Sequence, residues 1–172
     1  MRFQGEAFRA HDPNWSWTPL SGAGAALKGR RFNWPGLETL YLSLSFSTVF
    51  REVSAGFAHR LTPYVLCSYD VDCEDIADLR TEAGRLEHGA PLADLACPWA
   101  SALADRREPP SWTIVRRLLA AGAAGALLPS FAQGATPDDQ NLVLWRWGKA
   151  RPHKVTVYDP SGRLPKNALS WG

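Results

Sequence analysis

Between Thr39 and Phe57 the hydrophobic period of the chain changes once, and that change limits the folds open to it. "TLYLSL" alternates, with Leu40, Leu42 and Leu44 on one side and Tyr41 and Ser43 on the other, the signature of a half-buried strand. "STVFREVSAGF" then spaces Val49, Val53 and Phe57 four apart, with Phe50 beside them, which predicts a helix capped by Ser47 or Thr48. A strand running directly into a helix points to a mixed fold.

Further strands are predicted for residues 6–10 ("EAFRA"), 63–72 ("PYVLCSYDVD"), 126–130 ("ALLPS"), 141–147 ("NLVLWRW") and 154–159 ("KVTVYD"). "SWTIVRRLLAAGAAG" reads as an amphipathic helix with Ser111 as its cap and glycine as its stop. Residues 11–29 read as a long loop, and residues 75–111 as short helices joined by polar loops. Strands and helices are interspersed without a repeat or linker, so the expected class is α+β, a single mixed domain over residues 1–172.

Bulk properties narrow the function. Net charge is +2, without the concentrated basic face that direct nucleic-acid binding requires. The segment opening "MRFQGEAFRAHDPNW" has no apolar run of a signal peptide, and no stretch approaches a membrane span. Three cysteines, Cys67, Cys73 and Cys97, lack CxxC spacing and read as free thiols, so the expectation is a cytoplasmic protein without a zinc site. The four histidines are scattered, and no metal site is expected. Most of the eight tryptophans read as packing residues.

Three positions could carry chemistry. Arg31 lies in "KGRRFNWPG", where Gly29, Pro35 and Gly36 restrict the backbone and a guanidinium would be held for a phosphate or carboxylate. By spacing alone it reads as well as a surface arginine covering Trp34. Glu52 lies on the predicted helix after the Tyr41 strand, where it reads either as a cleft carboxylate or as a first-turn acid opposing the helix dipole. Ser130 ends a buried strand; with no GxSxG elbow it reads as a hydrogen-bonding positioner or an ordinary turn serine.

Taken in order, these motifs resemble the RES domain family, named for its Arg, Glu and Ser. The matching stretches are "GRRFNWPG" with Arg31, "LYLSL" with Tyr41, "TVFREV" with Glu52 and "LLPS" with Ser130. "FRAHDP" with Arg9 and "NLVLWRW" are similar to further family strands, so the resemblance runs from about residue 7 to about 158. Two positions depart from the family pattern: Arg30 stands where glycine is usual, and Arg51 where a small or apolar residue is usual.

The resemblance implies a fold like that of ADP-ribosyltransferases. It also implies an NAD⁺-cleaving enzyme acting as the toxin of a bacterial toxin–antitoxin pair, with NAD as substrate and no metal. The implied partner is a cognate antitoxin with a helix-turn-helix region. Implied roles are charge stabilisation at the ribosyl centre for Glu52, a pyrophosphate clamp for Arg31 and ribose positioning for Ser130. Tyr41 would contact nicotinamide or ribose, and Arg9 would be a second anion contact. The acceptor stays open: water, phosphate, or a host protein such as an enzyme of nucleotide synthesis. A non-catalytic module that binds NAD⁺ or ADP-ribose is the alternative outside enzymology. A rim of "NWSW", Arg30 and "WRW" would serve either a protein target or the antitoxin.

Overall fold

A computed structural model describes residues 1–54 and 63–171. Its seven strands are β1 (Phe3–His11), β2 (Leu40–Ser43), β3 (Val65–Cys73), β4 (Ile76–Asp78), β5 (Gly125–Pro129), β6 (Gln140–Leu144) and β7 (His153–Val157). They form one mixed sheet in the order β4-β5-β6-β2-β1-β3-β7, antiparallel throughout except for the parallel β4–β5 pair. The helices are α1 (Ala23–Ala26), α2 (Phe46–Ser54), α3 (Glu82–Glu87), α4 (Leu92–Leu95), α5 (Trp99–Ala104) and α6 (Pro110–Ala120). The class is mixed α+β, as the interspersed periods predict.

The sheet is strongly bent at its centre. β1 and β3 pair over nine residues, whereas β1 and β2 share the single register pair Phe8–Ser43. In a flat sheet β4 and β1 would be four strand spacings apart, about 19 Å. Yet the backbone of Met1, two residues before β1, exchanges two hydrogen bonds of 2.8 Å with Ile76 of β4. The concave side gathers apolar residues from all seven strands, including Ala7, Leu42, Tyr69, Ile76, Leu127, Leu142 and Val155. The opposite face of β4, β5 and β6 packs Ala77, Ala126, Leu128 and Val143 against Ile114, Val115 and Leu118 of α6 and Leu95 of α4. β5 is thus buried on both faces, which is why "ALLP" is uniformly apolar.

Several local expectations need correction. Ser45, not Ser47 or Thr48, caps α2: its Oγ accepts from the Thr48 N–H at 3.1 Å. The predicted end of that helix, residues 55–57, lies outside the described residues. α6 begins on Pro110, whose missing N–H costs nothing at the first helical position, and Ser111 lies inside the helix, fully buried. The stretch 75–111 does hold three short helices, but it also supplies β4, a strand too short to show a period. The expected loop at 11–29 includes the single turn α1.

Candidate functional site

The loop from Gly29 to Gly36 is fastened through its backbone. Both end glycines take positive φ, 73° and 91°. Asn33, fully buried, closes the turn: Arg30 N–H donates to the Asn33 carbonyl at 2.8 Å. The Asn33 amide Nδ2 in turn donates to the carbonyls of Ala25, Trp34 and Leu37 at 2.9–3.2 Å. Three successive carbonyls are then taken by side chains from elsewhere. Trp112 Nε1–H donates to the Arg30 oxygen at 2.8 Å, Ser111 Oγ–H to the Arg31 oxygen, and Trp145 Nε1–H to the Phe32 oxygen at 2.9 Å. Tyr41 Oη accepts from the Phe32 N–H at 3.1 Å. A backbone with so many of its polar groups matched holds one conformation.

The loop delivers Arg31 to a defined place. Its Nη1 donates to the carbonyls of Leu95 at 3.1 Å and Cys97 at 2.5 Å. The guanidinium carbon stands 5.0 Å from the centroid of the Phe131 ring, within cation–π range. Phe32 packs on the same ring, centroid to centroid 6.2 Å. The guanidinium that stands over Trp34 is that of Arg116, at 4.9 Å.

Ser130 follows directly on β5 and precedes Phe131, so the Arg31 loop and the Ser130 turn meet at one aromatic ring. Ser130 is 9% exposed; its N–H donates to the Asp139 carbonyl at 2.7 Å and its Oγ accepts from Ala132 N–H at 3.2 Å. Tyr41 belongs to the same assembly, but its hydroxyl faces the loop. Besides accepting from Phe32, it donates to Asn33 Oδ1 at 2.9 Å. Burial drives its pKa well above the usual phenol range, against the pull of the Phe32 N–H and of Arg30 and Arg31.

Arg9 is on the other face. Strand alternation puts it with Ala7 and His11 on the concave side, while Tyr41 packs toward α6. Its Nη1 donates to the carbonyls of Ser21 at 3.1 Å and Pro19 at 3.5 Å. Burial lowers its pKa, and the positive charge of Arg30 lowers it further. Arg30 itself is exposed. It does not share the positive φ of Gly29, so the usual glycine at position 30 is not required by the backbone.

Glu52 is the seventh residue of α2, which begins at Phe46. The first-turn, dipole-compensating reading of Glu52 therefore falls. The position of its side chain lies outside the described residues, as does that of His59. Arg51, beside it, pairs with Asp139 at 3.3 Å and donates to the Gly134 carbonyl at 3.0 Å. The expected aromatic rim is partly core: Trp145 is 7% exposed and Trp147 donates inward to the Leu20 carbonyl at 2.9 Å. Trp15 and Trp17 are exposed. Among the described residues no group of histidine, cysteine or carboxylate side chains is arranged to hold a metal. No helix there is long and apolar enough to cross a membrane. The three cysteines are free and buried.

Sequence reasoning missed the braces: Asn33, Ser111, Trp112, Trp145 and Asp139. The eight tryptophans were the available signal, since a buried indole needs an acceptor for its N–H.

The family model described as the RES domain matches residues 6–167. Comparison with curated protein sequences finds no match. Among solved structures, the chain is similar to one in the crystal structure of the M. tuberculosis MbcT–MbcA toxin–antitoxin complex. The TM-score is 0.64 and the identity 22%, over 92% of this chain and 84% of that one. At that identity the likeness is one of fold.

Proposed function

Since the chain belongs to the RES domain family, we propose that it is the toxin of a toxin–antitoxin pair and an enzyme that cleaves the nicotinamide–ribose bond of NAD⁺. The observation that carries the reading is the meeting of Arg31 and the Ser130 turn at Phe131, with the guanidinium carbon 5.0 Å from the ring. The solved toxin–antitoxin complex of the same fold supports an antitoxin as the partner, and the family resemblance gives that antitoxin a helix-turn-helix region. A cytoplasmic location fits this reading.

Each residue then has a distinct role. Arg31 clamps the pyrophosphate, because a planar, permanently charged fork both binds and orients it. Ser130 positions the nicotinamide ribose. Tyr41 acts through the loop, since its hydroxyl is spent on Phe32 and Asn33. Arg9 is the proposed second anion contact by resemblance alone, since it stands on the face opposite Tyr41 and donates to the Ser21 and Pro19 carbonyls. Glu52 stabilises the positive charge that grows on the ribosyl carbon as the glycosidic bond breaks. Nicotinamide leaves from a cationic state as a neutral molecule, so no strong general acid is needed.

Incubation of the purified protein with NAD⁺, followed by chromatography, tests the reading. Free nicotinamide is the expected product. ADP-ribose, its 1″-phosphate or a labelled protein beside it identifies water, phosphate or a protein as acceptor. Intact NAD⁺ after prolonged incubation overturns the enzymatic reading and leaves a binding module.

A further inference from the structure

Asp139 was not singled out by any sequence motif, yet it joins the two segments that carry Glu52 and Ser130. It is 3% exposed and uses every polar group it has. Its carbonyl accepts from Ser130 N–H at 2.7 Å, and its own N–H donates to the Thr136 carbonyl at 3.0 Å. Its Oδ2 accepts from Thr136 N–H at 2.8 Å and Thr136 Oγ1–H at 2.9 Å. These bonds close the loop from Ser130 to Asp139 on itself.

The same carboxylate reaches outward to α2. Oδ1 accepts from Thr48 Oγ1–H at 2.9 Å, and Oδ2 pairs with Arg51 Nε at 3.3 Å. Arg51 Nη1 adds a bond to the Gly134 carbonyl, in the middle of the loop, at 3.0 Å. Thr48 is in turn held by Ser45, whose Oγ lies 2.7 Å from its hydroxyl and caps the helix. The donors from Thr136 and Thr48 and the Arg51 charge hold the Asp139 carboxyl below the usual carboxylate range, so it is an anion at neutral pH.

We propose that Thr48, Arg51 and Asp139 are positioning residues, a tie that fixes the helix bearing Glu52 against the turn bearing Ser130. Among the described residues Arg51 supplies two links between α2 and the loop, to Asp139 and to Gly134, and Thr48 supplies a third. The catalytic consequence rests on the NAD⁺-cleaving reading above, because misplacing a reacting group by about 1 Å costs up to roughly a hundredfold in rate. The tie itself does not depend on that reading.

The test compares Thr48→Val, which keeps shape and removes the hydroxyl, with Thr48→Ser, which restores it, and with Asp139→Asn. Hydrogen exchange is followed at the Ser130 amide and at the amides of residues 49–51, beside nicotinamide release from NAD⁺. In Thr48→Val and Asp139→Asn both segments lose protection together. In Thr48→Val kcat falls about tenfold with KM little changed, and in Thr48→Ser it stays within about twofold. Protection lost on one side only, or an unchanged kcat in Thr48→Val, overturns the proposal, as does a loss in Thr48→Ser as large as in Thr48→Val. If the unaltered protein leaves NAD⁺ intact, the function is refuted, and the exchange results alone uphold or overturn the tie. Should Asp139→Asn not fold, the Thr48 pair carries the decision.

Discussion

The phenol of Tyr41 donates to Asn33 Oδ1 at 2.9 Å, so a central strand of the sheet is bolted to the turn that presents Arg31. The same oxygen accepts from Phe32 N–H at 3.1 Å. One side chain thus sets the height of the loop above β2, and the Arg31 guanidinium inherits that placement.

Tyr41→Phe removes this bolt while preserving the ring. It leaves the Phe32 N–H and Asn33 Oδ1 without that partner in a buried place, a loss of about 1–3 kcal/mol. Urea unfolding measures it; a variant as stable as the parent would show that the loop is held by its other braces alone.

Gly29→Ala and Gly36→Ala separate backbone strain from packing. Both force an L side chain into positive φ, at about 1–2 kcal/mol. At Gly29 a Cβ would also meet Pro35 Cδ at 3.0 Å, the Asn33 oxygen at 3.1 Å and Trp112 Cζ2 at 3.2 Å, whereas at Gly36 it meets nothing within 4 Å. Gly29→Ala is therefore the more destabilised in thermal melts, and equal melting temperatures would contradict the packing described for the loop.

Arg31→Ala weakens NAD⁺ binding by about 1.5–3 kcal/mol, the worth of a charge-assisted hydrogen bond. Arg31→Lys recovers only part of this, because an ammonium lacks the planar fork. Calorimetric titration with NAD⁺ decides; an unchanged Kd in both variants refutes the clamp.

Glu52→Gln keeps NAD⁺ binding and slows nicotinamide release by about two to three orders of magnitude, the scale of one lost electrostatic stabiliser. Normal release from the purified variant removes Glu52 from the chemistry.

His11 gives a pH signature unrelated to catalysis. It is 4% exposed, 2.5 Å from the Tyr69 hydroxyl, and burial with the nearby Arg9 charge lowers its pKa to about 3. Between that value and the unfolded pKa of about 6.5, the unfolded state binds the extra proton. Stability is full above the unfolded value and declines as pH falls toward the folded one, by up to about 1.4 kcal/mol per pH unit. Denaturant midpoints measured down that range show the slope, and His11→Gln flattens it. A slope that survives the substitution belongs to another group.

The elements legible in the sequence were those with a period and enough length to display it. β2, α2 and α6 announce themselves by alternation or helical spacing, and β3 by β-branched and aromatic content. β4 did not, because three residues have no period, and its partner β5 lies 47 or more positions away. That the loop around position 31 holds its arginine in one place was legible from Gly29, Pro35 and Gly36. What holds it was not, since Trp112, Ser111 and Trp145 are 80 to 113 residues distant and each looks like an ordinary core residue. Ser111 shows the reason most clearly: in sequence it is a good helix cap, but in the fold its hydroxyl serves a carbonyl on another segment, while Pro110 starts the helix without it.

The loop at 29–36 is gripped by its peptide carbonyls, and a peptide carbonyl is the same whichever amino acid contributes it. Position 30 shows what that permits. Its oxygen is engaged by Trp112, its φ suits any L residue, and its side chain faces solvent. Selection can therefore exchange what is displayed there without renegotiating how the loop is anchored. The exposed arginine at position 30 places a second positive charge beside Arg31 without taking part in that anchoring.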